Sequence, residues 1–147
     1  MKYLKKVIAL VDKISIWLAP VFDLVIRLYV AKAFFLSGLT KIKSWNSTVQ
    51  LFEYEYTVPL LSPKLAAFLG TAAELSLPVL LALGLLSRPA ALALFIFNYV
   101  AMTSYPDISP AGIKEHWLWG ALLLVTFFHG PGKISLDHLL RNWAPGR

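Results

Sequence analysis

"TAAELSLPVLLALGLLSRPAA", residues 71–91, contains the second half of an apolar run that extends from Leu65 to Leu86 with one charge in it, Glu74. About 20 apolar residues are enough to cross a ~30 Å hydrocarbon layer. An ionised carboxylate in that layer costs roughly 2.5–3.5 kcal/mol on insertion scales. The run therefore reads as a membrane span, and Glu74 requires a partner.

The rest of the chain agrees with a bilayer as solvent. Hydrophobic residues make up 58% of the 147 and charged residues 15%, where a soluble domain carries roughly a quarter charged. The length suits one domain. With no cysteine, disulfides, thiol redox chemistry and thiolate-ligated metals are excluded. The net charge of +6 is assigned to cytoplasmic loops facing anionic headgroups, not to nucleic acid.

Ser62–Pro63 supplies an N-cap and a first-turn proline ahead of this span, and Ser87-Arg88-Pro89 repeats the device just after it. A turn this short predicts an antiparallel hairpin. Working outward, spans are expected at about 20–40, 65–86, 88–105 and 113–129, an all-α integral membrane four-helix bundle. Residues 1–18 place Leu4, Val7, Ile8, Val11, Ile14 and Leu18 at helical spacing, with Lys2, Lys5, Lys6 and Lys13 on other faces. That is an interfacial amphipathic helix anchored by Trp17, with Pro20 opening a new helix. Small residues in "VAKA" (30–33) have cleavage-site spacing, but Asp23 and Arg27 interrupt any signal-peptide core, so no cleavage is expected. A second interfacial helix is expected at 135–143, capped by Ser135, with Leu136, Leu139, Leu140 and Trp143 on one stripe. Eight lysines and arginines, Arg88 and Arg147 among them, fall on the side of the termini, and four on the other. The positive-inside rule makes both termini cytoplasmic.

Asp23, Arg27 and Lys32 are the charges of the first span. Asp23 and Arg27 are four apart and share a face. At 1.5 Å per residue, Arg27 and Lys32 each lie roughly 10–12 Å from an end of their span, and Glu74 roughly 14 Å from its own. Two carboxylates and two bases form a neutral group, so Glu74 is expected to pair with Arg27, Lys32 or both, in a polar cavity to which Asn98 also turns. His116 beside Glu115, not far from Asp107, has too few ligands for a metal site, and none is assigned. Trp45, Tyr54, Tyr56, Tyr105, Trp117 and Trp119 collect at the outer surface. They form an interfacial belt dense enough to suit a flat aromatic ligand.

"IRLYVAKAFFLSGLTKI" (26–42), "AELSLPVLLALGLLSRPAALAL" (73–94) and "GPGKISLD" (130–137) together resemble the DoxX family of small four-helix membrane proteins. The matching positions are Arg27, Gly38 with Lys41, Glu74, Gly84 with Arg88, and Gly130 and Gly132 through to Asp137. The connection after Lys41 further resembles a branch that accompanies secreted, metal-binding modified peptides in Gram-negative bacteria. The family takes its name from a quinone-linked thiosulfate oxidoreductase, which implies redox partners and a quinone as the cofactor to consider. Lys32 stands where many relatives have a small residue. The resemblance also implies a bacterial inner membrane, and two functions follow, the first preferred because it requires no unseen cofactor. One is a membrane partner or anchor for a redox or metal-handling system, docking a protein through the aromatic loop 41–64. The other is a quinone-binding subunit, with no redox centre of its own and so no assigned catalytic residue. A homo-oligomer is compatible with either.

Overall fold

The computed structural model describes residues 1–143, so Arg147 lies outside the described residues. Among these there are six helices and no strand: α1 (Lys2–Lys43), α2 (Trp45–Tyr54), α3 (Pro63–Leu83), α4 (Ser87–Ser104), α5 (Pro110–His129) and α6 (Leu136–Trp143). By length and apolar content two of them, α1 and α3, are sufficient to cross a membrane. The other two long helices have polar first turns, with Ser87 and Arg88 in α4 and Lys114 close to the start of α5.

The expected break at Pro20 is absent, and α1 is one helix of 42 residues. Proline removes one N–H and its φ near −65° is already helical, so an apolar run continuing on both sides carries the helix through it. The N-terminal part of this helix has no buried residue before Ile26, and Leu4, Val7, Val11, Ile14 and Leu18 are exposed.

The caps differ in an instructive way. Ser62 and Pro63 start α3 as the sequence suggests. The equivalent Ser-Pro pair 109–110 starts α5 three residues before the expected Ile113, with the Ser109 hydroxyl accepting the Gly112 N–H at 3.1 Å. Ser87, however, is not a cap: it lies inside α4, and Leu86 stands at the N-cap in a left-handed conformation. The final helix begins where expected, with the Ser135 hydroxyl accepting the His138 N–H at 3.2 Å.

Helix α1 lies against α3, α3 against α4, α4 against α5, and α5 returns to α1. Val30, Ala31, Phe34, Leu81, Ala91, Leu94 and Leu123 make the shared core. The Phe34 ring meets Phe97 and Trp119 edge-on, with centroids 6.1 and 5.5 Å apart. Small residues permit close helix approach where lipid supplies no hydrophobic drive. At Gly38 a Cβ would come within 2.9 Å of the Leu75 side chain and 3.0 Å of the Glu74 Cβ, so α1 and α3 touch there through glycine.

Candidate functional site

Glu74 is buried, with its carboxylate between α3 and the end of α1. Its partner is neither Arg27 nor Lys32. The Lys41 ammonium donates to Glu74 Oε2 at 2.6 Å and to Oε1 at 2.8 Å. It also donates to Ser37 Oγ at 2.9 Å, and that hydroxyl donates back to Glu74 Oε1 at 3.1 Å. Three side chains thus close one ring of hydrogen bonds. Among the described residues this is the one ion pair within 4 Å.

The reason lies in helix geometry. Lys32 and Lys41 are nine residues apart, about 180° around a helix at about 100° per residue, and Lys32 is on the exposed face. Arg27 shares the face of Lys41 but sits about 21 Å away along the axis. It is fully buried and serves backbone: its guanidinium donates to the carbonyls of Leu81 (3.3 Å), Ala82 (3.1 Å) and Ile134. Leu81 and Ala82 belong to the last turn of α3, whose carbonyls lack intrahelical partners and carry the negative end of the helix dipole. Asp23 forms no ion pair with Arg27 and lies against Gly132, where a Cβ would come within 2.5 Å of its carboxylate. Asn98 does not join Glu74 either. Its amide donates to the His116 carbonyl at 2.9 Å and its oxygen meets His116 Nδ1 at 2.8 Å, joining α4 to α5. Among the described residues no three His, Asp or Glu side chains gather as a metal site.

The motif residues at the Arg27 end form one knot. Asp137, at the start of α6, accepts the N–H groups of Leu86 (2.9 Å) and Ser87 (2.8 Å), capping α4 from a distant segment, while its own N–H donates to the Gly84 carbonyl at 2.8 Å. Partial burial works against the charge. The Ser87 and Leu86 N–H groups outweigh it and hold the Asp137 carboxyl below its ordinary value. Gly84 ends α3 with φ +69°, and a Cβ there would run into Arg27 and Ser135.

At the other end, Lys41 and Glu74 open onto a cavity of about 330 Å³ between α2, α3 and α4. Its walls are apolar, from Phe52, Val58, Leu69, Leu77, Ile96 and Phe97 among others. The aromatic loop 41–64 contributes Phe52, Tyr56, Val58 and Leu61 to them. Thr48 of α2 donates to the Lys41 carbonyl at 2.9 Å, and the Thr57 N–H donates to the Ser104 carbonyl at 2.8 Å. Between these ties Phe52 stacks on Tyr56 (4.7 Å, 14°) and Tyr56 on Tyr105 (5.1 Å, 23°). Burial, and then the Glu74 charge, push the Tyr56 phenol above its ordinary value, so it remains a hydrogen-bond donor. The Ser104 hydroxyl also lines the cavity and is buried without a partner. Ser37, Phe52 and Ser104 were not marked by the sequence. Ser37 alone left a trace, standing four residues before Lys41 on one face of α1.

The chain is similar to known proteins over most of its length. The DoxX family matches residues 22–106. An inner membrane protein, YphA, of Escherichia coli is 33% identical over 132 residues, covering 80% of this chain and 89% of that one. An uncharacterised protein of Haemophilus influenzae is 31% identical over 131 residues, covering 83% and 85%. No solved structure matches. The chain belongs to the DoxX family and is a membrane protein.

Proposed function

We propose that this protein binds a lipophilic ligand with a polar, hydrogen-bonding ring, of the quinone class, in the cavity beside Glu74, and serves a redox system of the inner membrane. The carrying observation is that a buried lysine–glutamate pair opens onto an apolar, aromatic-walled cavity of about 330 Å³. Small-molecule sites typically have this make-up, from ~300 Å³ upward with few polar groups. An ion pair built only to join α1 to α3 would be no better than apolar packing of equal volume.

The residues fit a quinone. Lys41 would donate to a ring oxygen, the Tyr56 phenol and Ser104 hydroxyl are further donors, and the stacked aromatics match a flat ring. When bound, such a ring accepts two electrons and two protons. Glu74 is placed to hold a proton at Oε1 or Oε2 and exchange it with Lys41. The chain carries no cysteine, and its electrons would come from a partner protein. Topology completes the reading: four spans formed by α1, α3, α4 and α5, the N-terminal part of α1 and helix α6 at the interface, and both termini cytoplasmic. The eight-to-four basic count and the inner-membrane name of the E. coli relative support it. The cavity then opens near the outer leaflet and the Arg27 knot lies near the cytoplasm.

A second reading keeps the protein as a non-catalytic anchor that docks a partner through residues 41–64. Trp45, Tyr54 and Leu60 are exposed there and favour it, whereas Phe52 and Tyr56 are turned inward. Purification from native membranes in mild detergent, with mass spectrometry of bound small molecules and proteins, separates the two. A stoichiometric quinone that is lost in Glu74→Gln supports the binding site. A stoichiometric protein partner with no quinone in either sample overturns it in favour of the anchor.

A further inference from the structure

At the opposite end from Glu74, the start of α4, the end of α5, the turn 130–135 and helix α6 enclose a second cavity of about 200 Å³. Its ionisable lining is entirely basic: Arg88, His129, Lys133, His138 and Arg141. None of the three formal cations forms an ion pair within 4 Å among the described residues. Two acids lie close by: Asp137, which is occupied by the N–H groups of Leu86 and Ser87, and Asp23, whose carboxylate lies behind the turn against Gly132. The Arg88 guanidinium lies near Gly130, where φ is +89° and a Cβ would sit 3.5 Å from Nη2, and makes a long bond to the Phe128 carbonyl at 3.4 Å. Most of its five donors remain for something else.

Here four separate segments bring five basic groups to one concavity, which is the chemistry of a phosphate site. Next to it, α6 exposes Leu139, Leu140 and Trp143 at 60, 56 and 89% and buries none of its residues. A soluble anion has no use for that stripe, whereas a phospholipid meets both features, acyl chains along the stripe and headgroup among the cations.

We propose that this end of the molecule is a binding site for the phosphate of an anionic phospholipid, held by Arg88, Lys133 and Arg141. The site is independent of the cavity at Glu74. The test uses the full-length protein, delipidated in neutral detergent. Its thermal unfolding is followed with added phosphatidylglycerol, with phosphatidylcholine at equal mole fraction, and with millimolar inorganic phosphate. Phosphatidylglycerol should raise the midpoint well beyond phosphatidylcholine, and inorganic phosphate should do little. Each cation near a membrane surface contributes roughly a fivefold factor. Lys133→Gln with Arg141→Gln, both exposed positions, should therefore weaken phosphatidylglycerol binding by more than about tenfold. Arg88→Gln alone should weaken it about fivefold if the variant remains folded. Equal shifts from both lipids, or an undiminished shift in the double variant, would overturn the site. An equal shift from inorganic phosphate alone would overturn the lipid assignment and leave a soluble anion.

Discussion

Arg27 and Glu74 are both buried, both in long apolar helices, and both in the family pattern, yet they are neutralised in opposite ways. The arginine is satisfied by backbone carbonyls from the end of α3 and the turn before α6. Around it the packing is close: a Cβ at Gly84 would run into Arg27 and Ser135, and one at Gly132 into Asp23. The glutamate is satisfied by side chains, Lys41 and Ser37, and looks onto an apolar-walled cavity. A charge tied to backbone fixes the fold. A charge tied to a movable lysine beside a cavity is suited to exchange its partner for a ligand.

The comparison can be broken first at Arg27. Replacing it with methionine takes a donor from three carbonyls at once, of which, among the described residues, Leu81 alone keeps another, the Gly84 N–H. Buried acceptors left unsatisfied cost about 1–3 kcal/mol each, and losses of about 3–5 kcal/mol accompany a broken buried charge network. Thermal unfolding in detergent should show the largest loss of any single substitution here. Arg27→Lys should rescue little of it, because an ammonium lacks the planar fork.

Lys41 comes next. Lys41→Met strands the Glu74 carboxylate and should cost about 3 kcal/mol, as should Glu74→Gln for the opposite reason. The double variant should be far closer to wild type than the two losses added together. A coupling energy of about 2 kcal/mol or more in this cycle is expected, and additivity within about 0.5 kcal/mol would dissolve the pair.

Smaller is the effect of Asp137→Ala, which uncaps α4 and should cost about 1–2 kcal/mol. The pH dependence has a definite sign. The folded carboxyl is held below its ordinary value of 3.8, so its contribution is complete above that value and is lost as pH falls through the lower folded one. Asp137→Asn can accept only one of the two N–H groups, so it should keep part of the cap and lose this acid-side slope, as a comparison of midpoints across acidic buffers will show.

How much of this was legible in the sequence depended on which atoms were involved. The helices were readable because Ser62–Pro63 and Ser135 mark their starts and the apolar runs mark their length. Glu74 was conspicuous as a lone charge among 22 residues. Its partner was not, because depth along a helix does not fix the face: Lys32 has the right depth and the wrong side. Lys41, just past the expected end of the first span, reaches back on a flexible four-carbon stem. Arg27 was misread for a different reason. Its partners are backbone carbonyls, which every residue carries and no pattern marks. The same holds for Ser87, whose place as cap is taken by Asp137, fifty residues away. Tyr56 was visible as one of the outer aromatics and Phe52 was not, and the inward turn of both goes with the Thr57–Ser104 tie, a long-range contact.

The most direct measurement is a titration of the purified, delipidated protein with a short-chain quinone, followed by quenching of its tryptophan fluorescence. Wild type, Glu74→Gln, Lys41→Met and Asp137→Asn are compared at one temperature where all four are folded. Affinity should fall about tenfold or more, some 1.4 kcal/mol, in the Glu74 and Lys41 variants and remain at the wild-type value in Asp137→Asn. Equal affinity in all four, or a fall that follows their loss of stability rather than their place in the structure, would contradict a ligand site at Glu74.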